Sequence, residues 1–149
     1  MSMLPVPLDT SAVAAVHALS YHAAMDADCI AGNIAEVRGR VRAAAEKVSR
    51  DPETVQVLAV SKTHPAGAVR AAFAAGQRDF GENYLQEAED KIAATGDLDI
   101  QWHFIGPIQS NKTRAIAARF DWVHSVDRLK IARRLSEQRA EKLPPLKVC

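Results

Sequence analysis

The sequence predicts an α/β fold made of repeated strand–helix units, the first half of a (β/α)8 barrel. Three observations carry that reading. Short apolar runs rich in β-branched residues alternate with stretches of helical period. The runs end at Lys62, Asn83, Gly106 and Asp127, which lie 21, 23 and 21 residues apart, and a short βα period belongs to a barrel or a doubly wound sheet. The near-constant spacing and the lack of a Gly-rich dinucleotide turn favour the barrel.

The elements follow in chain order. Residues 1–29 contain no Lys or Arg, two Pro and a short Ala/Val stretch. A secretory signal would need a basic start and an unbroken apolar core, so this segment reads as a disordered or loosely packed extension, and Met25 is a candidate start. From Ile30 the apolar positions Ile34, Val37, Val41, Ala45 and Val48 follow steps of three and four, one face of an amphipathic helix. Asp51-Pro52 ends it. The run 55–61, "VQVLAVS", is apolar on both parities except at Gln56, the pattern of a parallel strand covered on both faces. A helix is predicted from Pro65 to Ala75 with Gly76 as its C-terminal stop. Then come a strand at 78–83, a helix from Leu85 to about Thr95 before Gly96, and a strand at 100–106. A helix from Ser110, read as its N-cap, runs to Phe120. A strand at 122–127 and a helix from Leu129 to about Ala140 follow, "LPP" breaks the helix, and "LKVC" begins a fifth strand.

Composition narrows the function classes. The 149 residues are 48% hydrophobic and 25% charged, in the range of one globular domain. A net charge of +1 gives no field that favours nucleic acid or an anionic membrane. No apolar run approaches the ~20 residues of a membrane span. Two cysteines, Cys29 and Cys149, form no disulfide or zinc framework, and a reducing cytoplasm is the expected compartment.

Barrels keep their chemistry at the C-terminal strand ends, and each run here ends in a polar or glycine residue. Lys62 is the one with a nucleophile, on the inward parity with Leu58 and Val60 if the pleat is regular. A strand-end lysine is most often simply solvated. As a Schiff-base amine it must be neutral, and with an ordinary pKa near 10.4 only about one in a few thousand is neutral at pH 7. A half-buried barrel mouth would lower that value. Glu82 and Glu87, near the second strand end, read as local ion pairs. Lys112 and Arg114 beside a helix start could hold an anion, though a solvated basic surface is the simpler reading.

Four segments, "LAVSKTHPA", "FGENYLQE", "WHFIGPIQSNKTR" and "VHSVDR", are similar to the pyridoxal-5′-phosphate (PLP) homeostasis protein family, the YggS/PROSC family. The resemblance runs from about Ile30 to Cys149. It implies a single barrel of the alanine racemase N-terminal-domain type, with PLP carried on Lys62 as a Schiff base. It implies a non-catalytic role in vitamin B6, PLP and amino-acid homeostasis, with apo PLP enzymes as recipients. Asn83 and His103 match positions that line the cofactor pocket. His64 stands where the family usually has a second lysine. A PLP-dependent amino-acid racemase, which shares the barrel, is the alternative; a cofactor-free lyase is a weaker third.

A complete barrel takes ~250 residues, and from Ile30 the chain offers 120. Residues 30–149 are therefore expected to be the N-terminal half of the barrel, a fragment or a truncated reading frame. The family's phosphate-binding segments would follow the late strands, beyond this half.

Overall fold

The computed structural model describes the backbone of residues 10–149 and the side chains of residues 27–149. A long helix, α1 (Thr10–Glu46), leads through a 3₁₀ turn at Pro52–Thr54 into four βα repeats and a fifth strand: β1 (Ala59–Val60), α2 (Ala66–Ala74), β2 (Asp79–Glu82), α3 (Leu85–Ala94), β3 (Gln101–Phe104), α4 (Thr113–Arg119), β4 (Trp122–Val123), α5 (Leu129–Gln138) and β5 (Lys147–Val148). The helix begins at Thr10 and not at Ile30, so no change of backbone marks the boundary at 29/30. The first nine residues of the expected extension lie outside the described residues.

All four neighbouring strand pairs are parallel, and the sheet order is β1-β2-β3-β4-β5. That order decides the architecture. A doubly wound sheet reverses direction at a switch point; this one advances by one strand at every crossover, as the first five strands of a (β/α)8 barrel do.

The strands bury one face under the helices. Phe80, Trp102, Phe104 and Val123 meet Val69, Ala88, Ile116, Phe120, Ile131 and Leu135 in one core. Side-chain alternation sends the other parity to the barrel interior. There Gly81 leaves room for its neighbours: a Cβ on it would stand 3.1 Å from Ile105 Cδ1 and 3.5 Å from Leu58 Cγ. Ile30 and Ile34 of α1 pack against the core and Ala45 is buried, while Val37 and Val48 of the expected apolar face are exposed.

Local chemistry explains where elements start and stop. Gly76, at φ +88°, ends α2. Its N–H bonds Phe73 O and that of Gln77 bonds Ala72 O, the paired bonds of a Schellman ending. β1 is shorter than the apolar run from Val55, because the Gln77 amide takes the Val57 carbonyl at 2.6 Å before the ladder begins. At α4 the expected N-cap, Ser110, is replaced by Lys112, which makes no side-chain cap bond. The Ser110 carbonyl instead accepts from the Thr113 hydroxyl at 2.9 Å and from Arg134 Nε at 3.0 Å, and residues 110–112 form a turn ahead of the helix.

Candidate functional site

β1 ends in a four-residue turn, Ser61–His64, closed by the His64 N–H on the Ser61 carbonyl at 3.1 Å. Ser61 is buried and Lys62 is exposed. The half-buried amine anticipated from sequence is thus not what the fold provides. Val60, on the same parity, is 47% exposed. Thr63 follows at φ +65°, a conformation that strains a β-branched residue.

Asn83 is the neighbour that the register brings to Lys62. Val60 pairs with Gly81, and the ladder continues through the Ser61 N–H to the Gly81 carbonyl at 3.0 Å, so Lys62 and Asn83 end their strands side by side. Asn83 is half-buried, and its Oδ1 is a buried acceptor without a hydrogen-bond partner. A buried amide oxygen left unpaired costs about 1–3 kcal/mol, and in a native fold it needs a reason. Gly106 presses on the same point: a Cβ there would lie 2.1 Å from the Asn83 carbonyl oxygen. Only glycine admits that approach.

His103 sits lower. It pairs with Gly81 across the ladder, one pleat below Lys62. It is buried, with Nε2 3.1 Å from Asp79 Oδ1 and Nδ1 3.0 Å from His124 Nε2. A carboxylate only accepts, so His103 Nε2–H donates to Asp79 and Nδ1 accepts from His124. Its ring stacks on Trp122 at 5.5 Å and 6°. Burial pushes the His103 pKa down, partly opposed by Asp79. Lys147 Nζ lies 4.7 Å from the Trp122 ring centre, and Gln56 Nε2 reaches Asp79 Oδ1 at 2.5 Å. The interior face therefore carries a polar and aromatic layer beneath the Lys62–Asn83 level.

Glu82 and Glu87 form the ion pairs expected of them, both with Lys91, at 2.8 and 2.6 Å. Lys112 and Arg114 are exposed. Sequence reasoning missed Lys91, Asp79, His124 and Trp122. Lys91 had a signal: it lies four residues after Glu87, and Glu82 shares the core-facing parity of Phe80, so a carboxylate on a buried face called for a buried cation. The Asp79–His103–His124 chain crosses three strands, and nothing local in the sequence announces it. Among the described residues no helix is long and apolar enough to cross a membrane, and no cluster of three or more metal-ligating side chains occurs.

Residues 26–149 match the family described as alanine racemase, N-terminal domain. The chain is 70% identical over 120 residues to the pyridoxal phosphate homeostasis protein of Pseudomonas aeruginosa and 55% identical over 122 residues to that of Escherichia coli K12, covering 80% of this chain and 52% of each relative. It thus spans about half the length of the curated relatives it matches. Among solved structures, PipY of Synechococcus elongatus with PLP bound aligns at TM-score 0.63 and 48% identity, over 73% of this chain and 47% of that one. The chain belongs to the alanine racemase N-terminal-domain family, and within it is similar to the pyridoxal phosphate homeostasis proteins.

Proposed function

We propose that the protein holds pyridoxal 5′-phosphate on Lys62 and serves vitamin B6, PLP and amino-acid homeostasis as a non-catalytic carrier in the cytoplasm, with apo PLP enzymes as recipients. The observation that carries the reading is the placement of an exposed primary amine at the C-terminal end of β1, beside an unpaired buried acceptor, Asn83 Oδ1. The residues fit the group. PLP would supply an aldehyde as the partner of the Lys62 amine, and a ring whose polar edge the Asn83 amide would meet.

The chain's own contributions are binding and orientation. Lys62 supplies the amine. Asn83 orients the ring edge, and its unpaired oxygen gains a partner when a donor arrives. His103, held by Asp79 and His124, forms the floor one pleat below. With both ring nitrogens already engaged by protein, it serves as wall and not as a proton-transfer group. We assign no described residue to the phosphate.

The test uses the intact protein mixed with PLP and then dialysed. The expected result is a retained visible absorption band that Lys62→Ala weakens at least about tenfold, the equivalent of 1.4 kcal/mol. A Lys62→Ala protein that keeps the band at the wild-type level overturns the assignment. A racemase would instead exchange the α-proton of a free amino acid with deuterated solvent at a turnover rate; none is expected.

A further inference from the structure

The residues on either side of Lys62 are gripped by a charge cluster that the proposed chemistry does not use, with Lys91 and Glu82 buried and Glu87 at its partly exposed rim. Lys91, on α3, is 5% exposed. Its ammonium gives one proton to each of three acceptors: the Ser61 carbonyl at 2.6 Å, Glu82 Oε1 at 2.8 Å and Glu87 Oε1 at 2.6 Å. Glu82 is fully buried, and its Oε1 also accepts from the Ser61 hydroxyl at 2.6 Å. Glu87 Oε1 also accepts from the Thr63 N–H at 2.5 Å. Ser61 precedes Lys62 and Thr63 follows it. The cluster therefore holds both of its neighbours and makes no hydrogen bond or ion pair with Lys62 itself.

Stability alone does not account for this arrangement. A buried ion pair loses much of its attraction to desolvation, and apolar residues of the same volume often serve as well. What the cluster does supply is direction. Thr63 stands at φ +65°, where glycine would rest without help and a β-branched residue rests only if the surroundings hold it. The Glu87 carboxylate is what holds it. On the other side, Lys91 fixes the Ser61 carbonyl that closes the turn.

We infer that Lys91, Glu82 and Glu87 are positioning residues for Lys62: they lock the Ser61–His64 turn and so fix the direction in which the Lys62 side chain leaves the strand. This inference rests on reading Lys62 as the cofactor-bearing amine. They act through the neighbours of Lys62: Lys91 on the Ser61 carbonyl, Glu82 on the Ser61 hydroxyl and Glu87 on the Thr63 N–H.

The test compares Glu87→Ala, Glu87→Gln and Glu87→Ala/Thr63→Gly in the intact protein, each first shown to keep a cooperative thermal transition. Two readouts are taken: hydrogen exchange of the Thr63 amide without any cofactor, and the rate of Lys62 modification by PLP with borohydride. In Glu87→Ala the Thr63 amide should exchange about tenfold faster, since a charge-assisted bond is lost, and Lys62 modification should slow by a similar factor while Lys112 labelling stays unchanged. Glu87→Gln keeps the accepting oxygen and should stay near wild type. Thr63→Gly relieves the strain and should recover most of the rate lost in Glu87→Ala, a rescue that a merely structural role would not give. Wild-type exchange and labelling in Glu87→Ala, or no rescue by Thr63→Gly, overturns the inference. If PLP marks another lysine in the wild-type protein, the reading of Lys62 falls; the lock itself is then judged by Thr63 exchange and by the acetylation rate of Lys62.

Discussion

His103 is the residue whose chemistry the fold constrains most. Its neutral form satisfies two bonds, to Asp79 and from His124; charging it would put a second donor on Nδ1, against the proton that His124 already offers. Burial is the main cause of its lowered pKa, with Asp79 opposing and His124 adding to the depression. The sign follows from linkage. The unfolded chain takes up a proton near the ordinary value of about 6.5, the folded chain only at lower pH. The contribution is fully present above about 6.5 and is lost as pH falls through the lowered folded value. His103→Gln, which can still donate to Asp79 and accept from His124, should therefore flatten the loss of stability below pH ~6.5, read as urea midpoints against pH. An unchanged slope would show that another group carries it. Glu87 acts in the same direction at more acid pH, because its bond from Lys91 holds its carboxyl below the ordinary range. At this scale the strand-end residues are legible in the sequence and the groups that support them are not. Lys62, Asn83 and the Glu82/Glu87 pairs are legible because strand ends and helical spacing are local. The imidazole chain and the grip of Lys91 on Ser61 depend on register and on a helix folding back, and these are not.

Among the elements, the close approach of the β3–α4 connection to the end of β2 is the tightest fit. A methyl group on Gly106 would overlap the Asn83 carbonyl, a backbone atom that cannot swing aside. Gly106→Ala must move one strand end against the other, and overpacking of that kind costs about 1–3 kcal/mol or more. The urea midpoint should fall accordingly; a change under ~0.5 kcal/mol, ordinary for a surface site, would contradict the close approach. The order of elements was readable because each strand run is bounded by a turn residue. Errors fell at the ends. Ser110 looked like a cap, but its carbonyl, not its hydroxyl, is the group the structure uses. β1 lost its first residues to the Gln77 amide, and α1 gained twenty residues ahead of Ile30, where the apolar period gave no warning.

For the whole molecule, the stepwise sheet order brings successive strand ends to one side of the sheet. Lys62, Asn83 and Gly106 arrive there from three successive strands, and α3 sends Lys91 back beneath them. Among the described residues β1 and β5 are the sheet's two edges, and the chain spans about half the length of its curated relatives. Constant repeat spacing made the barrel legible from sequence, because a steady βα period leaves few other ways to cover a parallel sheet. We propose that, of the lysines in this chain, Lys62 is the one that bonds PLP. Borohydride reduction of the intact protein with PLP, followed by peptide mapping, should find the pyridoxyl label on Lys62; a label on Lys91 or Lys112 with Lys62 unmodified would overturn the assignment.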